Sequence, residues 1–233
     1  MKARSVFLLL CAALALVSHA SSARAAGLCP STKSDLEWSS RCFENTGAGR
    51  RVKPAQVKNI VVNKSGYAII LIDTPRELLV VDRRGVVTIS NIYHTGDFDY
   101  PTARNNIGRF EVTLKNAVGQ STSKCGYFHT VKLKIVIPAI YDNCHAFNEG
   151  AAVACTDCTR YCTEAECQNS VFLGGQAFVI DRKNKILRKF EQYTLDSVCD
   201  SPELMILKER GGGGASKYLQ CLPAPGSPFS SWR

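Results

Sequence analysis

The chain has 233 residues, 45% of them hydrophobic, with 29 Lys and Arg against 20 Asp and Glu, for a formal net charge of +9. That length suits one domain or two small ones, with a core large enough to fold independently. Past the N-terminus no segment is apolar enough to enter a membrane, and the cations form no basic stripe interleaved with aromatics, which argues against a nucleic-acid partner.

The N-terminus reads as a secretory signal peptide over residues 1–25. Lys2 and Arg4 precede an uncharged apolar run from Val6 to Val17, and Ala23-Arg24-Ala25 supplies the small-x-small pattern for cleavage. Ser18-His19-Ala20 is an earlier candidate site. The run is shorter than the ~20 residues a spanning helix needs, so no membrane span is expected after cleavage. The expected location is periplasmic or secreted. The positive charge left after cleavage is moderate and spread out; it favours anionic surfaces, although solubility alone accounts for it.

Removing Cys11 with the leader leaves ten cysteines: Cys29, Cys42, Cys125, Cys144, Cys155, Cys158, Cys162, Cys167, Cys199 and Cys221. An even number in an exported chain implies a disulfide framework. Proximity suggests Cys29 with Cys42, Cys125 with Cys144 and Cys199 with Cys221, and the remaining four paired among themselves. Those four, in the segment Cys155 to Cys167, also have a zinc-like first spacing. An oxidising compartment favours a doubly stapled surface loop instead, so neither a metal nor any other cofactor is expected.

In chain order, residues 26–58 read as a stapled N-terminal segment. Within it Ser34-Asp35-Leu36-Glu37 resembles a capping box, which predicts one short helix from Asp35 to Cys42. Residues 59–193 read as strands: Ile60–Val62, Tyr67–Ile72, Leu78–Val81, Val86–Ile89, Tyr127-Phe128, Lys134–Ile137, Ala151–Val153, Ala177–Ile180 and Lys185–Leu187. Asp82-Arg83-Arg84-Gly85 marks a hairpin turn with Gly85 left-handed. Residues 194–233 read as a last hairpin, Leu204–Lys208 with Lys217–Leu222 around Gly211–Gly214, and a loose tail after Pro223. The fold class is therefore mainly β, built of repeated hairpins packed together and stapled by disulfides.

The repetition has a period near fifty. Leu79-Val80-Val81-Asp82-Arg83-Arg84-Gly85 parallels Phe178-Val179-Ile180-Asp181-Arg182-Lys183-Asn184, and a third copy starts at Tyr127. Lys124-Cys125-Gly126-Tyr127-Phe128, then Ile135-Val136-Ile137-Pro138-Ala139-Ile140-Tyr141-Asp142, then Phe147-Asn148-Glu149-Gly150-Ala151-Ala152-Val153 resembles the unit of the WG-repeat (KWG) family of bacterial β-repeat proteins. The Trp-Gly pair itself is replaced by Cys125-Gly126 in the middle unit and by Gln176-Ala177 in the third. The resemblance implies a binding or structural repeat module and brings no catalytic residues with it. Pro138, Tyr141, Phe147 and Gly150 read as packing and turn residues.

Two functions follow. The first is an exported, non-enzymatic β-repeat module that binds a protein or an anionic envelope polymer, with Arg160 and Tyr161 on the stapled loop as candidate contacts. The second is a secreted hydrolase with a site assembled in space, His94 with Asp97 or Asp99. His94, His129 and His145 are isolated, however, and no nucleophile-elbow or zinc-protease motif is present. Asp97, Asp99 and Glu111 read as solvated acids near turns, and the glycine run lacks the Lys-Ser/Thr of a phosphate loop. Asn63-Lys64-Ser65 is a glycosylation sequon if the host glycosylates exported proteins.

Overall fold

The computed structural model describes residues 29–47, 49–94, 96, 99–115, 121–164, 166–210, 216–223 and 225–226. The expected leader, Asp97, the glycine run at 211–214 and most of the tail lie outside them.

The chain is mainly β. A hairpin of β1 (Phe43–Thr46) and β2 (Gly49–Val52) precedes a single helical turn, α1 (Pro54–Val57). Then come β3 (Tyr67–Ile72), β4 (Glu77–Asp82) and β5 (Val87–Ile89), an antiparallel sheet in that order. A second such sheet follows from β6 (Ile107–Lys115), β7 (Ser121–His129) and β8 (Lys134–Tyr141). The third begins with β9 (Asn143–Cys144) and β10 (Ala151–Thr156); a side hairpin, β11 (Thr159–Cys162) and β12 (Ser170–Leu173), leaves it there. It resumes with β13 (Gln176–Asp181) and β14 (Ile186–Glu191), giving the order β14-β13-β10-β9. After α2 (Leu195–Val198), strands β15 (Met205–Arg210) and β16 (Ser216–Cys221) close the chain.

Sequence pattern explains how the three sheets stack. Successive strand residues point to opposite faces, so the uninterrupted run Leu78-Leu79-Val80-Val81 must be covered on both sides. Leu79 and Val81 pack on Trp38, Cys42, Phe43 and Val52 of the N-terminal segment and on Ile60 just after it. Leu78 and Val80 pack with Ile89, Ile92, Phe110 and Phe128, which joins the first sheet to the second. The other face of the second sheet, with Cys125, Tyr127, Ile137 and Tyr141, meets Ala152, Ala154, Phe178 and Ile180 of the third. Each buried Leu, Ile or Phe in these layers contributes about 1.5–3 kcal/mol relative to exposure. No single sheet could hide its own apolar face, so the stack is the stable unit.

All ten described cysteines are paired. Cys29–Cys42, Cys125–Cys144 and Cys199–Cys221 form as proximity suggests, and the cluster resolves into Cys155–Cys158 and Cys162–Cys167. Five disulfides fit an oxidising compartment. Among the described residues no helix is long and apolar enough to cross a membrane.

Four local expectations fail. The helix over Asp35 to Cys42 is reduced to a 3-10 turn at Ser40–Cys42. Asp35 does not take part in a helix start; its Oδ2 accepts from the Ser31 and Thr32 amides at 2.7 and 3.0 Å and from the Ser31 hydroxyl at 2.8 Å. Ile60–Val62 is not a strand: Ile60 is buried, but Val61 and Val62 are exposed and pair with nothing in a sheet. The segment Cys155 to Cys167 is no free loop either. Its β11 pairs antiparallel with β12 and, through Cys162 and Tyr218, parallel with β16, so insertion and C-terminal hairpin make one four-stranded sheet. Tyr161, expected on an exposed surface, is buried with Leu173, Val198, Leu219 and the Cys199–Cys221 pair.

Candidate functional site

The hairpins β4–β5, β7–β8 and β13–β14, one in each stacked sheet, each turn on one acceptor side chain. In the first sheet Asp82 Oδ1 accepts from the Arg84 and Val86 amides, both at 2.9 Å, with Gly85 at φ 80°. In the third sheet Asp181 Oδ1 accepts from the Lys183 and Lys185 amides, both at 2.8 Å, with Asn184 at φ 64°. In the second sheet the acceptor is a histidine: His129 Nδ1 accepts from the Val131 and Lys132 amides at 3.2 and 3.3 Å, with Leu133 at φ 54°. These Asx-type bonds replace strand pairing where the chain reverses. Accepting requires an unprotonated Nδ1, and burial together with the nearby Lys132 lowers the His129 pKa. Among the sequence candidates for acid/base work, His129 is thus a turn residue.

A second group of polar side chains lies against the second sheet. Arg109 on β6 donates Nε to Asp99 Oδ1 at 2.9 Å and Nη2 to Asp99 Oδ2 at 2.8 Å, a bidentate pair with Asp99 2% exposed. Its Nη1 donates to Cys144 O at 2.8 Å, and its guanidinium stands 4.7 Å from the Tyr93 ring centroid. The Tyr93 hydroxyl donates to Glu111 Oε2 at 2.9 Å; burial first, then Glu111, pushes its pKa well up. Arg160, exposed on β11, is close enough to act on Tyr93 electrostatically in the opposite sense. Burial and Arg109 lower the pKa of His145, whose carbonyl accepts from the Tyr127 hydroxyl at 2.9 Å.

The structure therefore gathers Asp99, Glu111, His145 and Arg160 into one region, yet does not pair His94 with Asp99; Asp97, the other expected partner, lies outside the described residues. His94 turns elsewhere: Arg76 Nε donates to its Nε2 at 3.2 Å, and its Nδ1 lies 3.0 Å from Ile92 O. Both Asp99 oxygens face Arg109 instead. Arg109 and Tyr93 had no sequence motif to mark them; their roles depend on contacts made only after β6 is placed.

The motif residues serve packing. Tyr141 is 5% exposed and donates its hydroxyl to Asn184 Oδ1 at 2.6 Å, while Phe147 meets Tyr127 edge-on at 4.8 Å. Glu149 and Gly150, at φ 50° and 88°, form a two-residue reversal closed by reciprocal Asn148 and Ala151 backbone bonds. Gly126 lies under β8, where an added Cβ would stand 2.6 Å from Ile137 O. Pro138 sits on β8, an edge strand, where its missing N–H costs no ladder bond.

No protein family, curated protein or solved structure matches the chain.

Proposed function

We propose that the chain is an exported, non-enzymatic β-repeat module of the WG-repeat kind, acting in the periplasm or outside the cell by binding a partner on its surface. One observation carries this reading. Four of the five described side chains considered for acid/base chemistry are bonded into the fold: His129 by two turn amides, Asp99 by Arg109, Glu111 by Tyr93 and His94 by Arg76. A general acid or base needs a proton-transfer partner on the substrate, and a carboxylate held bidentately by arginine is poorly placed to take one.

Repetition is supported by the shared turn chemistry and by a register shift in the same hairpin of all three sheets, at Val80/Val81, Cys125 to Phe128 and Val179/Ile180. The test is co-sedimentation of the purified exported protein with the envelope fraction of its host. Saturable retention in the pellet is expected. Recovery in the supernatant at all loads, with the five disulfides intact, would overturn the binding reading.

A further inference from the structure

The turns described above need one inward acceptor and one residue at positive φ; their other positions are free. All three place cations among those positions. Arg83 and Arg84 occupy the first turn, Lys132 and Lys134 the second, and Arg182, Lys183 and Lys185 the third, every one exposed. Among the described residues Arg84 is the one of these seven cations in a salt bridge, to Asp82 at 3.1 Å, and with its side chain 79% exposed that pair is weak and its head stays open to solvent. Asp82 and Asp181 are turned inward onto amides, which leaves Glu149 as the nearby exposed acid.

The three turns also lie at the same end of the stack. Lys134 Nζ stands 5.9 Å from the ring of Tyr67, and Tyr67 is the register partner of Asp82, so the first two turns adjoin. Arg104 Nη1 donates to Asn148 Oδ1 at 2.9 Å. Asn106, two residues on, binds the Thr130 amide of the second turn, and Asn148 bridges to Ala151, the partner of Asp181. Sheets pack about 10 Å apart, so three turns in successive layers span about 20 Å in a row.

We propose that this end of the stack binds a linear anionic polysaccharide, each turn taking successive acidic groups along the polymer. The proposal rests on the binding reading above and specifies its surface. A row of separated cation clusters matches a chain of repeated charges. A lipid surface would instead ask for an apolar face to insert, whereas the exposed Val131, Ile135 and Ile186 at the tips are outnumbered by seven exposed cations.

The experiment uses the full exported protein with heparin as the probe, neutral dextran as the blank, and vesicles of phosphatidylcholine with phosphatidylglycerol. The triple variant Arg83→Ser, Lys132→Ser, Arg182→Ser should melt with the parent, because among the described residues those side chains make no hydrogen bond or salt bridge. Its heparin affinity should fall about tenfold, and its salt dependence should become shallower by about one counterion per cation removed. A control, Lys33→Ser, Arg41→Ser, Lys208→Ser, removes equal charge elsewhere and should bind as the parent does. Equal losses in both variants would reduce the effect to net charge and overturn the site. Loss of vesicle binding with heparin binding retained would overturn it in favour of a membrane. Retention of the triple variant in the envelope pellet at parental affinity would refute this surface while leaving the binding reading standing.

Discussion

Replacing Asp99 with asparagine separates a structural from a catalytic role for the polar group on the second sheet. The parent holds Asp99, 2% exposed, against Arg109 through two bonds of 2.8 and 2.9 Å. Asparagine keeps the size but removes the charge, leaving an arginine whose side chain is only 20% exposed without its counterion. Breaking such a pair from one side costs about 3–5 kcal/mol; with Arg109 still reaching solvent and Cys144 O, the lower figure is expected, about 3 kcal/mol. For a chain of this length that lowers the melting temperature by about 6–12 °C. Arg109→Met should cost as much or more, since it strands the buried carboxylate, whereas Arg109→Met with Asp99→Leu should cost clearly less than the two single changes together. Differential scanning calorimetry with disulfides intact reads all three. A residue kept for chemistry usually stabilises the fold when replaced, so an Asp99→Asn protein that melts at or above the parent would refute the structural assignment.

Three more outcomes follow from the same geometry. Gly126→Ala should destabilise by about 1–3 kcal/mol or more because its Cβ meets the β8 backbone at 2.6 Å, and Gly150→Val by about 1–3 kcal/mol through its φ of 88° alone, with no atom within 4 Å; urea denaturation measures both. His129 favours the neutral ring in the fold, so between its lowered pKa and the ordinary 6.5 the unfolded chain binds more protons. Its stabilisation is complete above that ordinary value and is lost as pH falls through the folded pKa. His129→Asn keeps an acceptor and should flatten part of the acid-side decline in melting temperature, with the His145 share remaining; superimposable pH curves would contradict the turn role. Thiol labelling of denatured, unreduced mature protein should find the ten paired cysteines unreactive, and stoichiometric labelling in the segment 155–167 would contradict the two pairs there.

Much of the stack was legible in local sequence. The run Leu78 to Val81 announces a strand covered on both faces, and Asp-led turns with Gly85 or Asn184 at the left-handed position announce hairpins. Cysteines near one another in sequence paired because each joins strands or turns adjacent in space. What stayed hidden depends on distant partners. The second turn is one residue longer than the others, so sequence alignment carries Asp82 onto Thr130 while the structure puts His129 in its place. The Arg109–Asp99 pair and the β11–β16 contact join segments with no shared motif. Ser34 to Glu37 carried a helix signal that the neighbouring Ser31 and Thr32 amides outcompeted for Asp35. The basic turns escaped notice because their cations are scattered along the chain and meet only when the sheets stack.

The claim that the protein acts by binding and not by turnover is tested most directly by one envelope-binding isotherm. It is measured on the parent and on His94→Ala, Glu111→Gln and His145→Ala, with hydrolysis of the envelope material followed in the same tubes. Parental affinity in all three variants, without released product from any protein, is the expected result. Product released by the parent and lost in one of these variants, at an unchanged melting temperature, would contradict it and establish an enzyme.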